Sequence, residues 1–208
     1  MGLFAAAAAV LAWAALAVQL WLTVGIVVGQ GRGVAMGLVV YFGFFTVLTN
    51  LLAAMVLSAY AMGAPWPGHQ WLNHAAVQTC AAAAITIVGL VYFLILRHVW
   101  KPEGAQFLAD AALHYVVPTL MVLFWALTVP RRAVAWRHAP WLFVYPVVYL
   151  VYVFARGEVF GLYPYDFIDV GKLGDREALL NAAGLLLAYG VVAGLLCGIK
   201  SRPARKHI

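Results

Sequence analysis

The chain has 208 residues, of which 66% are hydrophobic and 10% charged, and its mean hydropathy is +0.95. That composition excludes a soluble globular domain; it belongs to a polytopic membrane protein whose length suits one compact helical bundle. The formal charge of +6 comes without a soluble basic surface or an aromatic-interleaved basic motif, which excludes nucleic acid as a partner and leaves the basic residues to report orientation.

Six apolar stretches predict six spanning helices, over about 3–28, 35–62, 75–97, 107–128, 140–156 and 178–199. Each is close to the ~20 residues a helix needs to cross the hydrocarbon. The first is too long for a signal-peptide core and has no charged leader, so it is expected as a retained span. The second contains Thr46, Thr49 and Asn50. The third carries Ala81, Ala82, Ala83 and Ala84, which suit close helix contact. The fourth contains His114, followed by Tyr115 and Pro118, and the fifth ends near Tyr152 and Arg156. Turns are predicted over 63–74, with Pro65 and Pro67, and over 129–139, opening at Pro130. Cys80 and Cys197 give no disulfide framework, and packing in apolar stretches accounts for both.

Charge sets the expected orientation. The 4–5 loop has Arg131, Arg132 and Arg137, and the tail has Lys200, Arg202, Arg205 and Lys206. All seven acids lie on the other side: Glu103, Asp110, Glu158, Asp166, Asp169, Asp175 and Glu177. Lys and Arg alone number seven against six, but the seven cluster in a short loop and a tail, the pattern that marks a cytoplasmic face. Both termini are therefore expected in the cytoplasm, with the loop over 157–177 outside. Thr46 and His114 then fall ~16 Å and ~10 Å inward from the outer ends of their helices, at the helical rise.

His114 is the one histidine placed well within a span. A titratable ring there is costly, needs a partner, and is by default a functional candidate; the alternative is a structural histidine bonded to a backbone carbonyl. Asp110, four residues earlier on the same face, can fix the ring tautomer or be solvated at the helix end. Pro118 frees a carbonyl near His114. Thr46 and Asn50 share a helical face, with Thr49 at its border. Threonines in membrane helices often bond back to the preceding turn, and asparagine to a neighbouring helix. Outside, Tyr163, Pro164, Tyr165 and Asp166 form either an aromatic interfacial segment or a lid over an outward cavity. Tyr152 and Arg156 share a face, where snorkelling is the ordinary use. The chain has no Gly-x-Ser-x-Gly, no His-Glu-x-x-His, no Cys-x-x-Cys and no Gly-rich phosphate loop. No metal or cofactor is therefore expected.

In their order these pieces resemble the androgen-induced membrane protein family, in particular its six-span bacterial branch. The matching pieces are Phe-Phe-Thr46-x-x-Thr-Asn50, His114-Tyr-x-x-Pro118, Tyr145-Pro146 with Tyr149, Arg156-Gly157, and Tyr163-Pro164-Tyr165-x-Phe-x-Asp169. The likeness covers roughly 35–200. Animal members of that family are membrane-embedded threonine hydrolases that cleave the ester joining a fatty acid to a hydroxy fatty acid. The resemblance implies Thr46 as nucleophile, with Thr49 one turn away as the alternative, and His114 as base. A second histidine of the animal pattern, three residues before the catalytic one, is Ala111 here. On this reading Asn50 donates to the oxyanion, and Asp110, Tyr115, Tyr152, Arg156, Tyr163, Tyr165 and Asp166 support the site or line a pocket for a lipid drawn from the bilayer. The rival readings are a transporter or lipid-binding protein, and a structural or assembly protein. No feature sets an oligomeric state.

Overall fold

The computed structural model describes residues 1–63, 66–134 and 136–201. Six helices among these residues are long and apolar enough to cross a membrane: α1 (Gly2–Gly29), α3 (Phe45–Met62), α4 (Ala75–Val99), α5 (Gly104–Thr128), α6 (Ala139–Phe160) and α7 (Asp175–Ser201). A shorter apolar helix, α2 (Val34–Gly43), leads into α3. No strand occurs among the described residues. The chain is an all-α integral membrane bundle of six spans, and an even number of crossings puts both termini on one side.

Small residues make the packing. The buried face of α1 is Ala5, Ala8, Ala9, Ala12, Ala15 and Leu16, at helical spacing, and it lies on α3. The four alanines of α4 are fully buried, and α4 packs against α3, α5 and α7. Without side-chain bulk the backbones approach closely and gain van der Waals contact, which is the main attraction available between helices in lipid. At the positively charged end, Lys200 is buried. Its Nζ donates to Ala126 O at 2.8 Å and Val129 O at 2.6 Å. A cation there satisfies the last carbonyls of α5 and complements its dipole, fastening α7 to α5.

Three expectations need correction. The helices outrun the predicted spans: α5 begins at Gly104, α6 reaches Phe160 and α7 starts at Asp175. Hydropathy marks only the part in hydrocarbon, whereas a helix continues until something caps it. Gly161, at φ +64, ends α6, and Asp175 and Glu177 sit in the first turn of α7, where carboxylates suit the dipole. Glu158, Asp175 and Glu177 are thus helical and not part of a long loop. The predicted turn over 63–74 likewise contains a helical turn, His69–Leu72. Pro65 and the tail cations Arg202, Arg205 and Lys206 lie outside the described residues.

The largest correction is in the second span, which is not one helix. The chain is extended at Phe44 (φ −78°, ψ 128°), between α2 and α3. An unbroken apolar run reads as continuous helix because the break is held from outside it. Carbonyls freed in a membrane must find donors within the protein. The Tyr149 hydroxyl donates to Gly43 O at 3.1 Å and the Tyr152 hydroxyl to Phe42 O at 3.3 Å. Arg156 Nε donates to Val39 O at 3.2 Å. Three side chains one helical turn apart on α6 thus line the end of α2. Gly43 makes room for them: a Cβ there would meet the Arg156 guanidinium carbon at 2.7 Å.

Candidate active site

The break makes Thr46 the second residue of a new helix. The first N–H groups of any helix lack intrahelical acceptors, and the Thr46 amide, beside its own hydroxyl, donates to the Tyr165 hydroxyl at 3.4 Å. Thr46 is 8% exposed. Its Oγ1 lies 3.3 Å from His114 Nε2.

His114 is held from behind. Its Nδ1 is 3.0 Å from the Asp110 carbonyl oxygen and 3.3 Å from the Asp110 carboxylate. Both neighbours are acceptors, so the proton belongs on Nδ1, and the Nε2 lone pair faces the Thr46 hydroxyl. Asp110 is buried, so it is not a solvated residue at the helix end. The Tyr92 ring stacks on the imidazole, centroids 4.1 Å apart and 18° between planes.

Both ring partners sit on widened helical turns. Residues Ala112–Val116 of α5 and Tyr92–Leu96 of α4 are π-helical. Pro118 has no N–H to give His114 O, which loosens that turn. Gly89 lies beneath it, where a Cβ would be 3.3 Å from His114 O. The extra residue of a π-turn turns His114 towards α3, in keeping with the frequent use of such turns at functional sites.

Asn50 fixes the register between α3 and α5. Its Nδ2 donates to Thr46 O at 2.8 Å and Leu113 O at 3.1 Å. Both amide hydrogens are therefore used, and Asn50 has none to offer an oxyanion. Its Oδ1 is buried without a partner among the described residues. Thr49 turns away from His114: its hydroxyl pairs with the Tyr145 hydroxyl at 2.9 Å.

The loop between α6 and α7 reaches the site through Tyr165. Its hydroxyl lies 3.4 Å from both the amide N and the Oγ1 of Thr46, and its ring stacks on Phe167 at 5.1 Å. Burial pushes the phenol up, partly countered by Thr46, so it remains a neutral hydrogen donor. Arg156 Nη1 donates to Leu162 O at 2.7 Å, joining this loop to the end of α2. The Tyr163 ring fills the space where a Cβ on Gly157 would stand, and burial, then Glu158, raises its phenol. Asp166 is paired with Lys172, whose ammonium is held above its ordinary range mainly by that hydrogen bond.

Thr46, His114, Asp110, Tyr165 and Asp166 all border one cavity of about 580 Å³. Thr49, Asn50, Tyr115, Tyr152, Arg156 and Tyr163 do not border it. Arg156 and Tyr152 hold backbone carbonyls, the Tyr163 hydroxyl meets the Glu158 carboxylate at 3.5 Å, and Tyr115 meets Tyr92 edge-on at 5.3 Å. Sequence reasoning missed Tyr92, Gln19 and Gln106, all of which line the cavity. Gln106 Nε2 donates to Gln19 Oε1 at 2.8 Å. The available signal was polarity within apolar helices: Gln19 stands in α1, one turn from Thr23, to which it donates at 3.1 Å. Among the described residues no cluster of His, Cys, Asp and Glu is arranged to hold a metal.

Comparison of the chain with protein-family models, with curated proteins and with solved structures finds no match.

Proposed function

We propose that the protein is an intramembrane hydrolase of fatty-acyl esters, with Thr46 as nucleophile and His114 as general base. The observation that carries this is the line of contacts from Asp110 through the His114 ring to the Thr46 hydroxyl, 3.3 Å from Nε2. A threonine hydroxyl is a weak nucleophile until a base takes its proton, and a base within hydrogen-bond reach meets the geometric requirement. The likeness to the androgen-induced membrane protein family supports the same pair and points to esters of hydroxy fatty acids.

In the reaction, Thr46 Oγ1 attacks the ester carbonyl carbon while its proton passes to His114 Nε2. The oxyanion takes over the Thr46 N–H that otherwise donates to the Tyr165 hydroxyl, and Tyr165 turns its own hydrogen to the same oxygen; donors held in place act most strongly in a dry site. The carbon–oxygen bond to the alcohol then breaks, and Nε2 returns the proton to the leaving oxygen. Water attacks the acyl-threonine next, gives a proton to Nε2, and the acid leaves as Thr46 regains its hydrogen. No metal or cofactor is needed to balance these steps. The site belongs to the outer face of a bacterial cytoplasmic membrane, with the lipid entering sideways.

The break in the second span beside a cavity favours a second reading, a lipid-binding or transport protein, because broken helices mark many transporter sites. Labelling with a lipid phosphonate that reacts with activated hydroxyls separates the two. The hydrolase is labelled, and Thr46→Ala and His114→Ala each lose at least ~100-fold in labelling rate, the lower end of what a base supplies, while both keep a native thermal unfolding profile. Equal labelling of parent and variants would overturn the assignment.

A further inference from the structure

We propose that the site separates the two halves of its ester: the acyl chain lies in an apolar groove between α4, α6 and α7, and the alcohol half, bearing hydrogen-bonding groups, lies in the large cavity against α1 and α5. This rests on the hydrolase reading and adds the substrate geometry to it.

Two spaces meet at the nucleophile. Thr46 and Tyr165 border the 580 Å³ cavity and also a second space of about 70 Å³. His114 and Asp110 border only the large one. The base must return its proton to the leaving oxygen, so the carbon–oxygen bond that breaks points to the side where Nε2 is. The carbonyl oxygen is claimed by the Thr46 amide and the Tyr165 hydroxyl. The remaining substituent of the carbonyl carbon is the acyl chain, and the direction left to it runs past Thr46 into the smaller space.

The walls agree with this assignment. The groove is built from Ile87, Val88 and Val91 of α4, Leu150 of α6 and Leu185 of α7. The hydroxyls of Tyr149 and Tyr189, which also border it, are spent on Gly43 O and Leu142 O. A plain hydrocarbon chain is what such a surface accepts. The groove has room for roughly five waters, enough for the first few carbons. Beyond them stand Val91, Leu150 and Leu185, which are only half-buried, so the rest of a long chain passes between them to the bilayer. The large cavity is also walled mainly by apolar side chains but adds Gln19, Gln106, Asp110 and Asp166; each is partnered within the protein, and their remaining amide hydrogens and lone pairs suit an alcohol half with its own polar groups.

The test uses the purified full-length protein in lipid nanodiscs and two ester series. One varies the acyl chain from acetyl to dodecanoyl on a fixed alcohol. The other keeps the dodecanoyl chain and compares glycerol with ethanol as the alcohol. Leu185→Trp and Leu150→Trp, from two different helices, are each expected to lower the dodecanoyl-to-acetyl ratio of kcat/KM at least tenfold and to leave the glycerol-to-ethanol ratio within twofold. Gln106→Leu is expected to lower the glycerol-to-ethanol ratio and leave the acyl ratio unchanged. Ratios are insensitive to partial loss of folded protein. If the parent cleaves esters but the tryptophan variants shift the alcohol ratio, or neither ratio moves, the assignment of the two halves is wrong and the hydrolase reading stands. If the parent cleaves none of the esters, both fall.

Discussion

The two nitrogens of His114 meet different company, and that asymmetry is what prepares the ring. Nδ1 faces a backbone carbonyl and a carboxylate of the same residue, Asp110, at 3.0 and 3.3 Å, so Nε2 is free to accept. The i,i+4 spacing made Asp110 legible from the sequence, because that spacing stacks two side chains on one helical face. The choice between an orienting and a solvated carboxylate was not legible; it depends on burial by α1 and α4. Asn50 was legible as a polar residue but not in its use, since the carbonyls it satisfies belong partly to another helix. The doubled restraint on Nδ1 has a kinetic consequence. Asp110→Asn brings an amide that can turn its hydrogens towards Nδ1, but the carbonyl still favours the correct tautomer. Its kcat for ester hydrolysis is expected to fall roughly ten- to hundredfold, less than the ~10⁴-fold loss when a carboxylate alone sets the tautomer. A loss as large as that would show that the carbonyl does not hold the ring.

At the scale of helices, the site depends on three irregular turns: the break at Phe44 and the π-turns in α4 and α5. Pro118 announced one of them, because a proline removes a donor wherever it stands. The other two carry no local mark. Gly43–Phe44 lies in a run as apolar as its surroundings, and the break persists because Tyr149, Tyr152 and Arg156 satisfy what it exposes. Gly43 is therefore a sensitive position. In Gly43→Ala the added methyl meets the guanidinium of Arg156 at 2.7–2.9 Å, and a displaced Arg156 releases both Val39 O and Leu162 O. The loop bearing Tyr165 then loses its anchor. We expect Gly43→Ala to lose at least ~10-fold in kcat, as removal of oxyanion donors does, with helical content by circular dichroism unchanged. Full activity in this variant would separate the break from the chemistry.

Across the whole molecule, the two ends of the bundle differ in charge and in role. One end carries the acids, the Tyr165 loop and the cavity; the other carries Arg131, Arg132 and the Lys200 clamp on α5. If the basic end is cytoplasmic, as its clustered cations suggest, the cavity end faces outward. Single cysteines introduced at two exposed positions test this in intact cells. With a membrane-impermeant maleimide, Arg176→Cys is expected to label directly and Arg131→Cys only after lysis. The opposite pattern would invert the topology and place the site on the cytoplasmic side.

The sequence by itself determined that the chain crosses the membrane six times and that polar residues collect in its second and fourth spans. Hydropathy and helical period are local properties, and each span reports them alone. Tertiary structure decided that the second span breaks before Thr46, that Thr46 and not Thr49 meets His114, and that Tyr92, Gln19 and Gln106 complete the cavity. Those outcomes turn on helix rotation and on donors supplied by other helices. An apolar run carries no record of either until its neighbours are in place.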